Sequence, residues 1–242
     1  MNTLASQMNV PSSSLLRVVG VLYMAIIALG IVSEGLLRGP AMAQADLTLS
    51  TMALQWSFFA DLGMALCDVG LAVLLFVWLR QVHVAWALGA TLFRLVQASI
   101  LGMNLLSQHL ATRMLHDDAL LQVFSSDQLH VVARQLLQAQ SLGYDLGLVF
   151  FGVSCVCVGR LLWTSMAPTL GALMMGAGVV YLVGSSLRFA APEVAAAVQA
   201  MYVLPVVAEG AFAMWLLRGG GNPQDGAESW RGSQRLHQAN AL

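Results

Sequence analysis

The chain reads as an all-α protein, a polytopic membrane helix bundle of six transmembrane helices with N-in and C-in topology, and three observations lead there. Hydrophobic residues make up 58% of the 242 and charged residues only 10%, with a mean hydropathy of +0.75, far more apolar than a soluble globular domain. Six apolar runs are each long enough to cross a bilayer core, which takes about 20 helical residues. Arg and Trp also segregate between the two ends of those runs, as topology signals do.

The runs cover 15–37, 56–79, 84–105, 135–162, 168–187 and 197–217. The connectors 80–83 and 163–167 have room only for tight turns between antiparallel neighbours, so the longer, more polar segments 38–55 and 106–134 fall on the other side. With the N-terminus inside, Arg17, Arg80, Arg160, Arg218, Arg231 and Arg235 lie inside against Arg38, Arg113, Arg134 and Arg188 outside. Trp78, Trp86, Trp163 and Trp215 then all sit at the inner interface. This divides the chain into a cytoplasmic N-terminal segment (1–14), a six-helix transmembrane domain (15–218) and a disordered cytoplasmic tail (219–242), Gly-rich and without periodicity.

Taken in order, each helix carries a local signal. In the first, Arg17, the apolar run and Ala41-Met42-Ala43 also fit a cleaved signal peptide, but Glu34 and Arg38 interrupt that pattern. Glu34 reads as an interfacial residue. The second and third form a hairpin with Asp68 and Arg94 at matching depth. The fourth begins before the membrane, with Ser126 as expected N-cap. The fifth is rich in small residues (Gly171, Ala172, Gly176, Gly178, Gly184), which suits close packing. In the sixth, Pro205 is placed to kink the helix ahead of Glu209.

Asp68, Arg94, Asp145 and Glu209 each lie roughly 15 to 18 Å from the outer end of their helices at about 1.5 Å per residue. The expectation is one mid-membrane layer of three acids and one Arg, compensated by a protonated carboxyl, Arg188, water or a bound cation. Above it, Arg94, Gln97, Asn104 and Gln108 share an arc of about 80° on the third helix, and Arg134, Gln138, Ser141 and Asp145 follow helical spacing on the fourth. Asp61 lies two turns above Asp68. Below the layer the helices carry almost no polar side chains. The pattern predicts a cavity open to the exterior, ending at the acid-rich layer and sealed towards the cytoplasm. The ligand- or ion-binding candidates are Asp68, Arg94, Gln97, Asn104, Gln138, Asp145 and Glu209. Each has a structural alternative: Asp68 and Arg94 as an ion pair, the amides as hydrogen bonds between helices.

Several chemistries are excluded or disfavoured. All eleven basic residues are Arg, so no lysine Schiff base can form, and a net charge of -1 without a basic patch gives no reason to expect a nucleic-acid partner. No His falls within a span, and no zinc-protease motif occurs. Cys67, Cys155 and Cys157 read as small buried hydrophobes, the last two on different helix faces. His109, His116 and His130 with Asp117, Asp118 and Asp127 lack metal-ligand spacing. No cofactor or metal is expected. Asp68-Val69-Gly70, Asp145-Leu146-Gly147 and Glu209-Gly210, each heading an apolar run that ends in Arg, also suggest three tandem hairpins.

The runs Cys67-Asp68-Val69-Gly70-Leu71-Ala72, Phe93-Arg94-Leu95-Val96-Gln97-Ala98, Gly102-Met103-Asn104-Leu105-Leu106 and Gly143 through Gly152 resemble the bacterial domain of unknown function 4386 family over nearly all of 15–218. The resemblance implies a six-helix protein of the bacterial inner (plasma) membrane and brings no activity or catalytic residues with it. Three roles stay open. The first is binding, or proton- or cation-coupled transport, of a small-molecule or cation ligand from the outer side, with Asp145 and Glu209 as coupling acids. The second is an enzyme acting on a lipid or quinone, for which no nucleophile and base pair is visible. The third is a structural or partner-binding role. The lipid bilayer is the one partner the composition requires.

Overall fold

The computed structural model describes residues 13–197 and 199–220, which are helical apart from short connectors. Most of the expected N-terminal segment and tail, 1–12 and 221–242, lies outside the described residues. The α-helices are α1 (Ser13–Gly30), α2 (Gly39–Ala43), α3 (Thr51–Leu79), α4 (Val84–Met114), α5 (Asp118–Leu121), α6 (Ser126–Ser165), α7 (Pro168–Ala190), α8 (Pro192–Ala197) and α9 (Val203–Leu217). Six helical stretches are long and apolar enough to cross a membrane, so the chain is a multi-pass membrane protein.

The six spans close into a ring. α1 packs on α3, α3 on α4, α4 on α6, α6 on α7, α7 on α9, and α9 returns to α1. Tight connectors after Leu79 and Ser165 define a turn end; the connectors around 44–50, 115–125 and 191–202 define a loop end. The α6/α7 seam is backbone against backbone. A Cβ on Gly159 would stand 2.7 Å from the Gly171 carbonyl oxygen, and one on Gly152 2.8 Å from that of Gly178, so only glycine allows this approach. The turn-end half is filled with apolar side chains: Trp78, Phe212, Leu75, Leu161 and Leu216 are fully buried. Trp78 stacks on Phe212 with ring centroids 6.5 Å apart, so it is a core residue and not part of an interfacial belt. Cys155 and Cys157 are buried free thiols and Cys67 is partly buried.

Four expectations are corrected. The first helix does not stop at 37: a π-helical segment, Ile31–Arg38, carries it into α2, and the Gly39 N–H bonds the Glu34 carbonyl. Its hydropathy falls at Glu34 and Arg38, but the two pair with each other and Arg38 also reaches Asp61 on α3 and Gln108 on α4, so the helix continues. The N-cap of α6 is Ser125, which forms a reciprocal capping box with Gln128. Pro205 lies in the first turn of α9, where a missing N–H costs no helical hydrogen bond and no kink is needed. Arg134 does not line a polar path. It reaches back to the carbonyls of Met42 (3.2 Å), Gln44 and Ala45 (2.8 Å), clamping the connector before α3. In that connector Asp46 caps the 3₁₀ turn Leu47–Ser50, and hydrogen bonds from the Thr48 hydroxyl and N–H hold its carboxyl below the usual range.

Candidate functional site

At the centre of the ring each of the six spans contributes a side chain to one cluster. Arg94 of α4 is buried, with Nε 2.8 Å and Nη2 2.6 Å from Asp68 Oδ1 on α3. Its guanidinium carbon lies 5.0 Å from the ring centre of Tyr23 on α1 and 4.8 Å from that of Phe151 on α6. These two rings supply cation–π contacts in a place where water cannot solvate the charge. Gln97, one turn on from Arg94, donates from Nε2 to Asp68 Oδ2 at 3.1 Å, which leaves its Oε1 buried without a partner. From the far side, Glu209 of α9 accepts a 2.5 Å hydrogen bond from the Tyr181 hydroxyl of α7. The Tyr23 hydroxyl is buried between Arg94 and Glu209 and interacts with both.

Asp68, Gln97, Tyr144, Tyr181 and Glu209 line one cavity of about 170 Å³, with Ile26, Ile27, Met64, Leu148 and Phe151 as its apolar wall. Glu209 is 6% exposed, yet among the described residues no cation forms an ion pair with it. Asp68 has its charge met by Arg94 in direct contact; Glu209 has phenols for its nearest partners. A buried carboxyl with neutral donors alone in contact is expensive when ionised and stabilised by a proton or a cation.

A second cluster occupies the bundle about 10 Å towards the loop end, the distance from Asp68 to Asp61 along α3 at roughly 1.5 Å per residue. Arg38, 1% exposed, places Nη1 2.5 Å from Asp61 Oδ2 and 2.8 Å from Gln108 Oε1, while Nη2 pairs with Glu34. Gln108 in turn donates to Ser57 Oγ (2.6 Å) and the Leu54 carbonyl (2.7 Å), and Ser33 donates to the Ser57 carbonyl (3.2 Å). Here every acid touches the Arg. Polar residues expected along an outward path over α1, α3 and α4 are therefore engaged largely with one another, although Arg38 Nε and Asp61 Oδ1 keep no partner. Tyr144, on the wall of the central cavity, lies within the field of Glu34, Arg38 and Asp61 as well as Asp68, and so stands between the two clusters.

The candidate residues divide accordingly. Asp68, Arg94, Gln97 and Glu209 meet at the centre. Asp145 does not belong to that layer: it is six residues beyond Phe151, roughly 9 Å towards the loop end, and pairs with Arg188 Nε at 2.7 Å. Counting from residue 135 misjudges its depth, because Asp145 is twenty residues from the turn end of α6 at Ser165, whereas Asp68 and Arg94 are about ten from theirs. The three-hairpin pattern therefore does not bring Asp145 to the position held by Asp68 and Glu209. Asn104 packs on the bare face of Gly143, beside a shallow lateral groove, with Nδ2 unpartnered. Gln138 is exposed, whereas Gln140 is buried in its place. Among the described residues no three His, Cys, Asp or Glu side chains converge as a metal set.

The sequence reading passed over Tyr23, Tyr144 and Tyr181. Tyrosines concentrate at membrane interfaces, so mid-span tyrosines at the depth of an acid were the available signal.

Residues 18–220 match the family described as domain of unknown function (DUF4386), and the chain belongs to that family. Neither a curated protein nor a solved structure shows a significant match.

Proposed function

We propose that the protein binds a small cation or a proton in its central cavity, with Glu209 as the titrating acid and Asp68, Gln97, Tyr144 and Tyr181 as the surrounding oxygen donors. The observation that carries this reading is the contrast within one cavity. Asp68 is neutralised by Arg94, while Glu209 is buried against a neutral phenol beside the unpartnered Gln97 Oε1. Oxygen donors of this kind suit a hard cation. The size of the cavity supports an ion over an organic substrate: about 170 Å³ is below the roughly 300–1,000 Å³ that small-molecule sites occupy. A lipid- or quinone-converting enzyme is disfavoured on the same ground. Asp145, already paired with Arg188, is the weaker coupling acid of the two.

Coupled transport is the use that fits a mid-membrane acid with one dry side. The Arg distribution supports a bacterial inner-membrane orientation with both termini inside, so that the loop end faces out. The test is thermal stability of the full chain in detergent across pH and a series of Li⁺, Na⁺ and K⁺ concentrations, for wild type and Glu209→Gln. A ligand that favours the folded state raises its stability. Wild type is expected to respond to pH or to one cation and Glu209→Gln to lose that response. Identical responses in the two proteins would refute the reading.

A further inference from the structure

The seam between α1 and α9 is closed at one end and open at the other. Near the turn end a Cβ on Gly20 would stand 2.9 Å from the Leu217 backbone nitrogen, and Tyr23 meets Phe212 edge-on with ring centroids 5.3 Å apart. Beyond that contact the two helices part. Ile31 and Val206, on opposite sides of the seam, both line the central cavity, yet they are 54% and 56% exposed. Residues that line an interior cavity and are also more than half exposed mark its mouth. The course of α1 explains the opening. Its π-helical extension, Ile31–Arg38, packs on α3, held there by Arg38 on Asp61 and by Ser33 on the Ser57 carbonyl.

Glu34 overlooks this mouth. Tyr144, across the cavity on α6, and its neighbour Asp145 both lie within the field of Glu34. Of the two acids on Arg38, Glu34 is the one that reaches the surface, its side chain 38% exposed against 4% for Asp61. It lies eleven residues beyond Tyr23 of the central layer, roughly 16 Å at about 1.5 Å per residue, which is the edge of a hydrocarbon core about 30 Å thick. The charged groups facing it are Arg38 on its own helix, Asp61 on α3 and Asp145 on α6, itself paired with Arg188 of α7. Three carboxyl groups thus stand against two guanidiniums, a balance that suits the passage of a cation.

We infer that water and small cations reach the central cavity from the loop end through this seam, with Ile31 and Val206 as its walls and Glu34 as the acid that draws cations to its mouth. The destination of the path rests on the reading of Glu209 as the binding acid.

The test is thiol labelling of the full chain in nanodiscs with a cationic and an anionic membrane-impermeant thiosulfonate and with neutral N-ethylmaleimide. Ile31→Cys and Val206→Cys are compared with Val32→Cys and Val207→Cys, whose residues are exposed at similar depth but do not line the cavity. Wild type supplies the background of the three native thiols. Charged reagents avoid hydrocarbon, so they should label the two seam variants about ten-fold faster than the two controls. Adding Glu34→Gln to Val206→Cys should lower the ratio of cationic to anionic labelling rates about ten-fold. Equal labelling of all four variants by the charged reagents, or labelling of the seam variants by N-ethylmaleimide alone, would overturn the path; an unchanged ratio with Glu34→Gln would overturn the role of Glu34. Labelling reads access without Glu209. A thermal response that survived Glu209→Gln while the seam variants reacted would remove Glu209 and support the path, whereas a response lost in Glu209→Gln with unreactive seam variants would keep Glu209 and overturn the path.

Discussion

Among the described residues two arginines are buried, each with two acids nearby, and the fold treats them differently. Around Arg38, Glu34 and Asp61 both touch the guanidinium and Gln108 ties it into a chain of hydrogen bonds reaching Ser57 and Leu54. Around Arg94, only Asp68 makes contact; Glu209 stands across a cavity on a tyrosine. The first arrangement fastens α1, α3 and α4 together with both acids on the guanidinium. The second leaves an acid without a cation and room beside it. Equal residue types therefore make a closed cluster in one place and an open one in the other, and what separates them is whether every acid reaches the base.

That comparison makes ordered predictions. Arg38→Met should be the most destructive change, leaving two acids uncompensated, at a cost of about 3–5 kcal/mol; a reversible denaturation series in mixed micelles would show it, and a loss under 1 kcal/mol would mean the cluster is solvated and not a fastening. Asp61→Asn is expected to cost about 2 kcal/mol in the same assay, the range for a hydrogen bond to a charged group. Glu209→Gln should differ in kind: an amide oxygen still accepts from Tyr181 and no buried charge remains, so its stability should stay within about 1 kcal/mol of wild type. If Glu209→Gln proved as costly as Asp61→Asn, the two clusters would be energetically alike and the contrast would fail.

The smallest effect concerns the connector that Arg134 clamps. Asp46 is depressed in the folded protein by its bonds to Thr48. Its cap therefore contributes at pH above the ordinary aspartate range and is lost as pH falls below about 4 and through its folded value. The protection of the Thr48 amide against hydrogen exchange, relative to its intrinsic rate at each pH, should fall over that interval, and Asp46→Asn should remove that pH dependence of protection.

The sequence was a good guide where one helix decides the outcome. The six spans, their tight connectors, the dry turn-end half and the Asp68/Arg94 pairing all follow from periodicity, run length and matched positions on one hairpin. It failed where depth depends on neighbours. Arg38 looks interfacial on α1 alone and becomes buried because α3 and α4 extend beyond the bilayer beside it. Asp145 looks central when counted from the end of α6, yet the seam with α7 sets it level with Ser185, within reach of Arg188. Gln138 and Gln140 exchange roles because which face of α6 turns inward at the loop end is set by contacts that no single helix encodes.

The most direct test of the central claim is the infrared carboxyl spectrum of the full chain in nanodiscs, recorded as pH or the responsive cation is varied, for wild type and Glu209→Gln. The account predicts a carboxyl band that changes with ligand in wild type and is missing in Glu209→Gln, with the Asp61 cluster silent in both. A band that persists unchanged in Glu209→Gln would contradict it, and would move the responsive acid elsewhere in the molecule.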